Sequence, residues 1–524
     1  MEASLFTYTA GIVAIGMLIW DTVEVGRNDA TNIVNAVFGA RVMKRKMAVR
    51  IAGLAVIIGA WASSPVMETA RKGIFDPMAA TITTNDALAI YLGVYLTDTV
   101  LLYSFSAFGM PISTTAGLVF SLLGGGLVLG GFDAVHWNKS GVVIVAIICS
   151  IISSGAFGFM VQRIFRGVIG KDCENQEKVK LHGPWIAGAL LTGLGYFILI
   201  KGMKNVAFVK TIRSFTLDEL GVPFVLLALW CVLSIIIWAV LQLGGEKFNR
   251  HLFSSLAVIG MIAIAIAFGQ NDLANCASPG VASYMILRHG ELAPEIDVPS
   301  WLLLISGLLL ALGMTTRNAQ RVTRAAVNTG SQGDIVRLYA PNWCIRIASL
   351  FAPKPQPEEA LAPKPEIAPS KKLQHYDALR AAVITSVSAS VIAFASGMGL
   401  PVSTTYVSFA AVVSTGWADK IFQRGDAKLK LGRAIWVVTC WFLSALLAAL
   451  LTGFCSYMIT VLGTIGIIVC LIINLTTRWF MKRKSDQQEE RMQQEATERR
   501  QKLVGDSTQS EQMLFASETD SSEM

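Results

Sequence analysis

Apolar runs of about twenty residues, long enough to cross a bilayer as a helix, recur from one end of the chain to the other. Gly221–Leu243 reads GVPFVLLALWCVLSIIIWAVLQL, and Ala434–Tyr457 is of the same kind. The pattern predicts helices near 9–40, 50–67, 86–108, 112–131 and 141–162, then two linking helices near 184–201 and 221–243. A second series follows near 252–288, 301–316, 379–399, 402–420 and 433–456, and a last segment near 458–477 ends at the basic RWFMKRK. Two segments, 9–40 and 252–288, exceed a straight crossing and hold Gly-x-Asn-Asp near their middles. Each is expected to be a broken helix whose unwound turn frees its carbonyls. Gly109-Met110-Pro111 and Gly399-Leu400-Pro401 read as further interruptions, because proline removes a backbone donor and glycine lowers the cost of leaving helical dihedrals. Backbone of this kind is tolerated at membrane depth only where protein or a hydrated cavity satisfies it.

The polar interruptions repeat. GRNDATN at 26–32 returns as GQNDLAN at 269–275, and GMPISTT at 109–115 returns as GLPVSTT at 399–405, in the same order. The first pair is offset by 243 residues and the second by 290; the difference has its source between Arg317 and Tyr376, where PKPQPEEALAPKPEIAPSKK is expected to be extended or disordered. RVMKRKMAVR follows the first Asn-Asp motif and is basic, whereas RHGELAPEIDVPS follows the second and is acidic, which by the positive-inside rule puts equivalent loops on opposite sides. The next pair of loops reverses this bias, since TTRNAQRVTR from 315 is basic and Glu68–Asp86 is mixed.

The expected fold is therefore an all-α polytopic membrane protein with about 12–13 transmembrane helices, arranged as two inverted-topology repeats with broken helices and midplane half-helices. Its parts are a first repeat at 1–162, a linking loop and two helices at 163–251, and a second repeat at 252–456 containing a cytoplasmic Pro-rich loop at 317–377. A final span and basic end at 457–484 and a polar tail at 485–524 complete it. Counting from an outside N-terminus leaves the C-terminus in the cytoplasm. MEASLFTYTAGIV lacks the basic n-region and cleavage pattern of a signal peptide, so the first segment is expected to be retained.

Composition narrows the function. The 524 residues are 53% apolar and 15% charged, with a mean hydropathy of +0.54, where soluble domains carry about a quarter charged residues. The net charge of +8 is concentrated in the loops assigned to the cytoplasm, so it reports topology and gives no reason to invoke nucleic acid. Eight scattered cysteines form no CxxC pair, and the five histidines, at 136, 182, 251, 289 and 375, are far apart, so neither a disulfide framework nor a metal cluster is expected.

After each Gly-x-Pro break a half-helix begins with Ser113, Thr114 and Thr115, or with Ser403, Thr404 and Thr405. Unpaired N–H groups, the positive dipole end and three hydroxyls there favour an anion. The competing reading is that each serine only caps its helix and the threonines bond to preceding carbonyls. Asp29 and Asp272 bring negative charge to the same region, which a cation resolves. Asn28 and Asn32, like Asn271 and Asn275, are four apart and can share a helical face, while the intervening aspartate offers a carboxylate. These hard oxygen ligands suit sodium, at Asp29 and Asp272, and a bound cation lets anion and carboxylate coexist. Further intramembrane acids break the symmetry, since Asp21, Glu24 and Asp98 have Ile264, Ala267 and Ser388 at the matching offsets. They are candidate accessory groups, either a proton route or a further cation ligand.

Together GRNDATN, GQNDLAN, GMPISTT and GLPVSTT resemble the inorganic phosphate transporter (PiT) family, as do METARKGIFDP at 67–77 and RVTRAAV at 321–327, and the resemblance covers most of residues 9–455. It implies phosphate held between the two Ser-Thr-Thr half-helices, cation sites at the Asn-Asp motifs, and import driven by sodium or protons. It also implies an acid at Glu68, whose second-half counterpart here is Arg324. The expected function is secondary active import of inorganic phosphate by cation symport with alternating access, in a multi-pass protein of the cell membrane. A carrier of another tetrahedral oxyanion, such as sulfate or arsenate, or of metal–phosphate complexes, is the alternative. No enzyme is expected, because no histidine lies near either Ser-Thr-Thr motif to serve a nucleophile. No cofactor is expected beyond a coupling ion, sodium or proton. The partners are phosphate, that ion and the lipid bilayer, with a homodimer left open.

Overall fold

The computed structural model describes residues 5–520 except 62, 64–73, 76–78, 80, 171, 174, 203–208, 210, 212–213, 215–219, 290–299, 333–335, 337, 352–374 and 424. Fourteen α-helices are described: α1 (Leu5–Gly39), α2 (Arg45–Trp61), α3 (Thr84–Ala107), α4 (Thr114–Gly130), α5 (Trp137–Ile169), α6 (Gln176–Leu194), α7 (Val222–His289), α8 (Ser300–Met314), α9 (Arg317–Thr329), α10 (Asn342–Phe351), α11 (Ala378–Gly397), α12 (Thr404–Ala418), α13 (Ala427–Leu462) and α14 (Thr464–Asp520). A π-helical turn, Gly195–Gly202, continues α6. Eight helices among the described residues are long and apolar enough to cross a membrane, and α8 and α9, bent by 67° at their junction, reach that length only as a pair, a ninth if counted as one span. The predicted segments overlap described helices, except that 458–477 straddles the break at Gly463 (φ 58°) between α13 and α14, and residues 62 and 64–67 of the second segment lie outside the described residues. The difference in number arises because α7 runs through two of them, bending at Gly245 (φ 63°), while α2, α4 and α12 are shorter than a full span.

Helix α5 sets an apolar outward face against a buried face that mixes polar with apolar residues. Along α5 the buried face carries Ser140, Ser150, Ser154 and Gln162, while Val142, Val145, Ile148 and Ile152 are exposed. Lipid tails offer no hydrophobic drive toward the protein interior, so apolar side chains face outward and small or polar residues fill the helix contacts.

Two expectations are corrected here. The long segments are not broken at Gly-x-Asn-Asp: α1 passes through Asn28 and Asp29 as a continuous helix, and α7 is non-helical only at Gly245, far from Asn271. The motif glycines serve close packing instead. A Cβ on Gly26 would lie 2.0 Å from the Leu310 carbonyl of α8, and one on Gly269 would lie 2.2 Å from the Val56 carbonyl of α2. The second correction concerns 317–377, expected as a loop. Residues 317–329 and 342–351 are helical there, and the Pro-rich run itself lies outside the described residues.

The Gly-x-Pro interruptions are present as expected. Gly109 (φ 67°) and Gly399 (φ 73°) turn the chain between α3 and α4 and between α11 and α12. Packing partners mirror one another across the halves: α1 lies on α8 as α7 lies on α2, and α4 lies on α13 as α12 lies on α5.

Candidate functional site

The two interruptions meet the two Asn-Asp helices at the centre of the protein, and the motif residues Asn28, Asp29, Asn32, Asn271, Asp272 and Asn275, with the serines and threonines of both Ser-Thr-Thr runs, are each at most 4% exposed. The asparagines support the breaks. Asn28 donates from Nδ2 to the Ile112 carbonyl (2.7 Å) and accepts from the Ile112 N–H (3.4 Å) and from Ser106 Oγ (3.1 Å). Asn271 does the same for Val402, donating to its carbonyl (2.6 Å) and accepting from its N–H (3.1 Å). Each carboxamide thus satisfies both polar groups of the residue that precedes the serine, in backbone that has no helical partner of its own. This is why the asparagine-bearing helices need not unwind: the freed carbonyls come from the facing Gly-x-Pro breaks.

Beyond the clips, the halves interlock. Asn32 Nδ2 donates to Asp29 Oδ1 (3.0 Å) and to Thr405 Oγ1 (2.9 Å) across the halves, and Thr405 Oγ1 lies 2.9 Å from Asp29 Oδ1 and 3.2 Å from the Ile112 carbonyl. In counterpart, Asn275 Nδ2 donates to Asp272 Oδ1 (3.0 Å) and Thr115 Oγ1 (2.7 Å), and Thr115 donates to the Val402 carbonyl (2.8 Å). Thr114 Oγ1 sits between the two acids, 2.9 Å from Asp272 Oδ1 and 3.5 Å from Asp29 Oδ2.

Ser113 and Ser403 are N-caps, accepting from the N–H of Ala116 (3.0 Å) and Tyr406 (3.1 Å). Both serines thus cap their helices, whereas the hydroxyls of Thr114, Thr115 and Thr405 reach across to carboxylates and to the opposite break. Asp272 Oδ2, Asn275 Oδ1 and Thr404 Oγ1 are buried without a hydrogen-bond partner. Three unsatisfied oxygens at one centre are costly unless a ligand completes them. They are hard donors of the type sodium takes, so the residues fit such an ion. Among the described residues no group of three His, Cys, Asp or Glu is placed to hold a metal.

The accessory acids separate. Glu24 is 2.8 Å from the Arg27 guanidinium and is also paired with Arg478 of α14, so it belongs to an ion cluster. Asp21 is 1% exposed with Oδ1 unpartnered. Asp98 lies against α4, where a Cβ on Gly117 would be 2.8 Å from its Oδ1, one turn beyond Thr114. Glu68 lies outside the described residues, and Arg324 is on α9, its side chain 56% exposed, away from the centre.

Ser106 was missed at the sequence level. The signal was available, since Ser396 stands at the same 290-residue offset and the repeated unit is really Ser-x-x-Gly-x-Pro-x-Ser-Thr-Thr.

Residues 25–328 and 369–452 match the model of the phosphate transporter family. A candidate phosphate permease of Thermococcus kodakarensis is 27% identical over 460 residues, 86% of this chain and 97% of that protein. One from Pyrococcus abyssi is 26% identical over 448 residues, 84% of this chain and 95% of its own. Among solved structures, one described as the sodium-dependent phosphate transporter superposes with a TM-score of 0.65 at 20% identity, covering 86% of this chain and 99% of that one. That likeness shows the fold. The family match spans well over half of the sequence, and the chain belongs to the phosphate transporter family.

Proposed function

We propose that this protein imports inorganic phosphate together with a cation, exposing one central site alternately to the two sides of the membrane. The observation that carries the reading is the meeting of two helix N-termini, at Thr114 and Thr404, with two buried aspartates that share the Thr114 hydroxyl. A helix N-terminus attracts an oxyanion through its free N–H groups and dipole. Asp29 and Asp272 repel it, and a cation beside the carboxylates removes that repulsion. Each ion then raises the affinity for the other, the thermodynamic requirement of symport.

In this reading phosphate is held by the N-terminal turns at Ser113–Thr115 and Ser403–Thr405, the serines fixing the helix ends and the threonines facing the ligand. The cation is held by Asp29 with Asn28 and Asn32, and by Asp272 with Asn271 and Asn275. Sodium is the favoured coupling ion, supported by the unpartnered hard oxygens of Asp272, Asn275 and Thr404 and by the description of the solved fold relative as sodium-dependent. The mirrored packing and hydrogen bonds support two inverted repeats arranged about this site, with access alternating around it. The basic loops and the C-terminus are assigned to the cytoplasmic side by the positive-inside rule.

The test is radiolabelled phosphate uptake into proteoliposomes at fixed membrane potential. An inward sodium gradient is expected to drive accumulation that excess sulfate leaves unchanged. Accumulation driven only by a proton gradient would reassign the coupling ion, and uptake that never exceeds equilibrium would overturn symport.

A further inference from the structure

A cavity away from the centre opens beside the first break and is lined by Gly109, Arg321, Arg324, Tyr339, Arg433 and Glu489, among others. Three guanidinium groups face it against one carboxylate. Arg433, on α13, is only 2% exposed. Its terminal nitrogens donate to the Tyr339 carbonyl (3.0 Å) and the Gly109 carbonyl (2.7 Å), while its Nε, also buried, has no partner. Among the described residues no carboxylate pairs with it. An arginine keeps its charge at any ordinary pH, so burying one without a counter-ion is costly.

The negative charge that reaches this cavity comes from the polar tail. Arg321 donates to Asp486 Oδ1 (2.6 Å) and is paired with Glu489, whose other oxygen is 3.8 Å from Arg324. These acids lie on α14 beyond residue 452, where the family match ends, and Arg324 stands where the family resemblance implies an acid. Asp486 and Glu489 thus lie beyond the matched region while Arg321, Arg324 and Arg433 lie within it, and the cluster stands apart from the central site.

We infer that this cavity is a second oxyanion site, formed by Arg321, Arg324 and Arg433, and that Glu489 is its tethered competitor. The ligand is a phosphate-class anion, because guanidinium forks donate bidentately to carboxylate and phosphate oxygens alike, so a phosphate can take the place that the Glu489 carboxylate occupies. Its floor is the Gly109 carbonyl, the start of the break whose far end caps α4 at Ser113. An anion bound here displaces the tail from Arg321 and Arg324 and lies beside the interruption that the transport site uses. Tail release and anion occupancy are thus opposite faces of one equilibrium.

The inference does not depend on where cargo binds, and the experiment keeps the two apart. Full-length protein carrying Thr114→Ala and Thr404→Ala, to disable the proposed central site, is placed in phosphatidylcholine nanodiscs and titrated with radiolabelled inorganic phosphate. Residual binding is expected, tightened about 5-fold by adding Glu489→Gln, the gain from removing a competitor worth about 1 kcal/mol. Arg324→Gln, at a half-exposed position that leaves the fold intact, is expected to abolish it. Absence of residual binding even with Glu489→Gln, or binding that Arg324→Gln leaves unchanged, overturns the inference. Repeating the titration with phosphatidic acid in the bilayer separates two sources of the same chemistry: competition assigns the site to a lipid headgroup, and indifference assigns it to the free anion. If the central reading is wrong, the threonine substitutions change nothing while the Arg324 effect persists.

Discussion

Asp29 Oδ1 accepts from Asn28, Asn32 and Thr405, and Asp272 Oδ1 accepts from Asn275 and Thr114, so each carboxylate has one well-supported oxygen. An asparagine carbonyl placed there keeps the acceptor and removes the charge. Asp29→Asn and Asp272→Asn are therefore expected to leave the protein folded, with an unchanged melting temperature, while gradient-driven phosphate uptake falls about 100-fold, the upper range of a coupling free energy. Near-normal uptake in both would remove the cation from these residues. The glycine that opens the motif has a separate task. Gly26→Ala directs a methyl to within 2.0 Å of the Leu310 carbonyl, whereas at Gly16, on the same helix, a Cβ meets nothing within 4 Å. The first substitution is expected to cost roughly 1–3 kcal/mol of overpacking and the second to be neutral or slightly stabilising. Thermal melting of the two variants side by side is the measurement, and equal melting temperatures would contradict the close approach of α1 and α8.

The short helices α4 and α12 each begin with a serine whose hydroxyl is committed to its own helix and a threonine whose hydroxyl is committed to the other half. Ser113→Ala is thus expected to cost about 1 kcal/mol of cap with little change in apparent phosphate affinity, while Thr114→Val weakens that affinity substantially. The reverse order, from titrations of phosphate against uptake rate, would make the serine a direct ligand. This division of labour was not legible in the sequence, because capping and ligand binding use the same residue types in the same turn. What was legible is the set of elements: apolar runs of fixed length, the Gly-x-Pro stops and the doubled motifs locate most of the helices and pick out the motif residues that meet at the centre. The expected break at Gly-x-Asn-Asp failed for a physical reason. Polar residues at membrane depth need partners, and the sequence could not show that the partners of Asn28 and Asn271 are the backbone of Ile112 and Val402, 84 and 131 residues away. Helix 317–329 was within reach of the sequence, since Ala319, Val322, Thr323, Ala326 and Val327 recur at three- and four-residue spacing on its buried face, but a search for apolar spans passes over so polar a segment.

At the scale of the whole molecule, contacts differ in how much movement they tolerate. α1 with α8, and α7 with α2, are joined backbone to backbone: a Cβ on Gly26 or Gly313 would strike the Leu310 or Val23 carbonyl, and one on Gly59 or Gly269 would strike the Ile266 or Val56 carbonyl, all at 2.0–2.2 Å. Such packing is close to all-or-none, because sliding by an ångström replaces contact with overlap. The two half-helices, by contrast, are held to this block through side-chain hydrogen bonds, Asn32 to Thr405 and Asn275 to Thr115, which re-form at small cost when helices shift. Hinge and shear motions follow the softer contacts. In an alternating carrier the block of α1, α2, α7 and α8 is then expected to stay rigid while α4 with α13, and α12 with α5, move against it. A bridge inside the block tests this. A Cβ on Gly53 of α2 would lie 3.1 Å from the Ala311 Cβ of α8, closer than the roughly 3.5–4.5 Å of a disulfide, so the bridge closes once the two helices part by a few tenths of an ångström. Gly53→Cys with Ala311→Cys, oxidised and compared with the same protein reduced, is expected to retain phosphate uptake at an unchanged rate. Uptake that stops on oxidation and returns on reduction would place the moving boundary between α2 and α8, inside the block, and the close glycine contacts would have to open in every transport cycle.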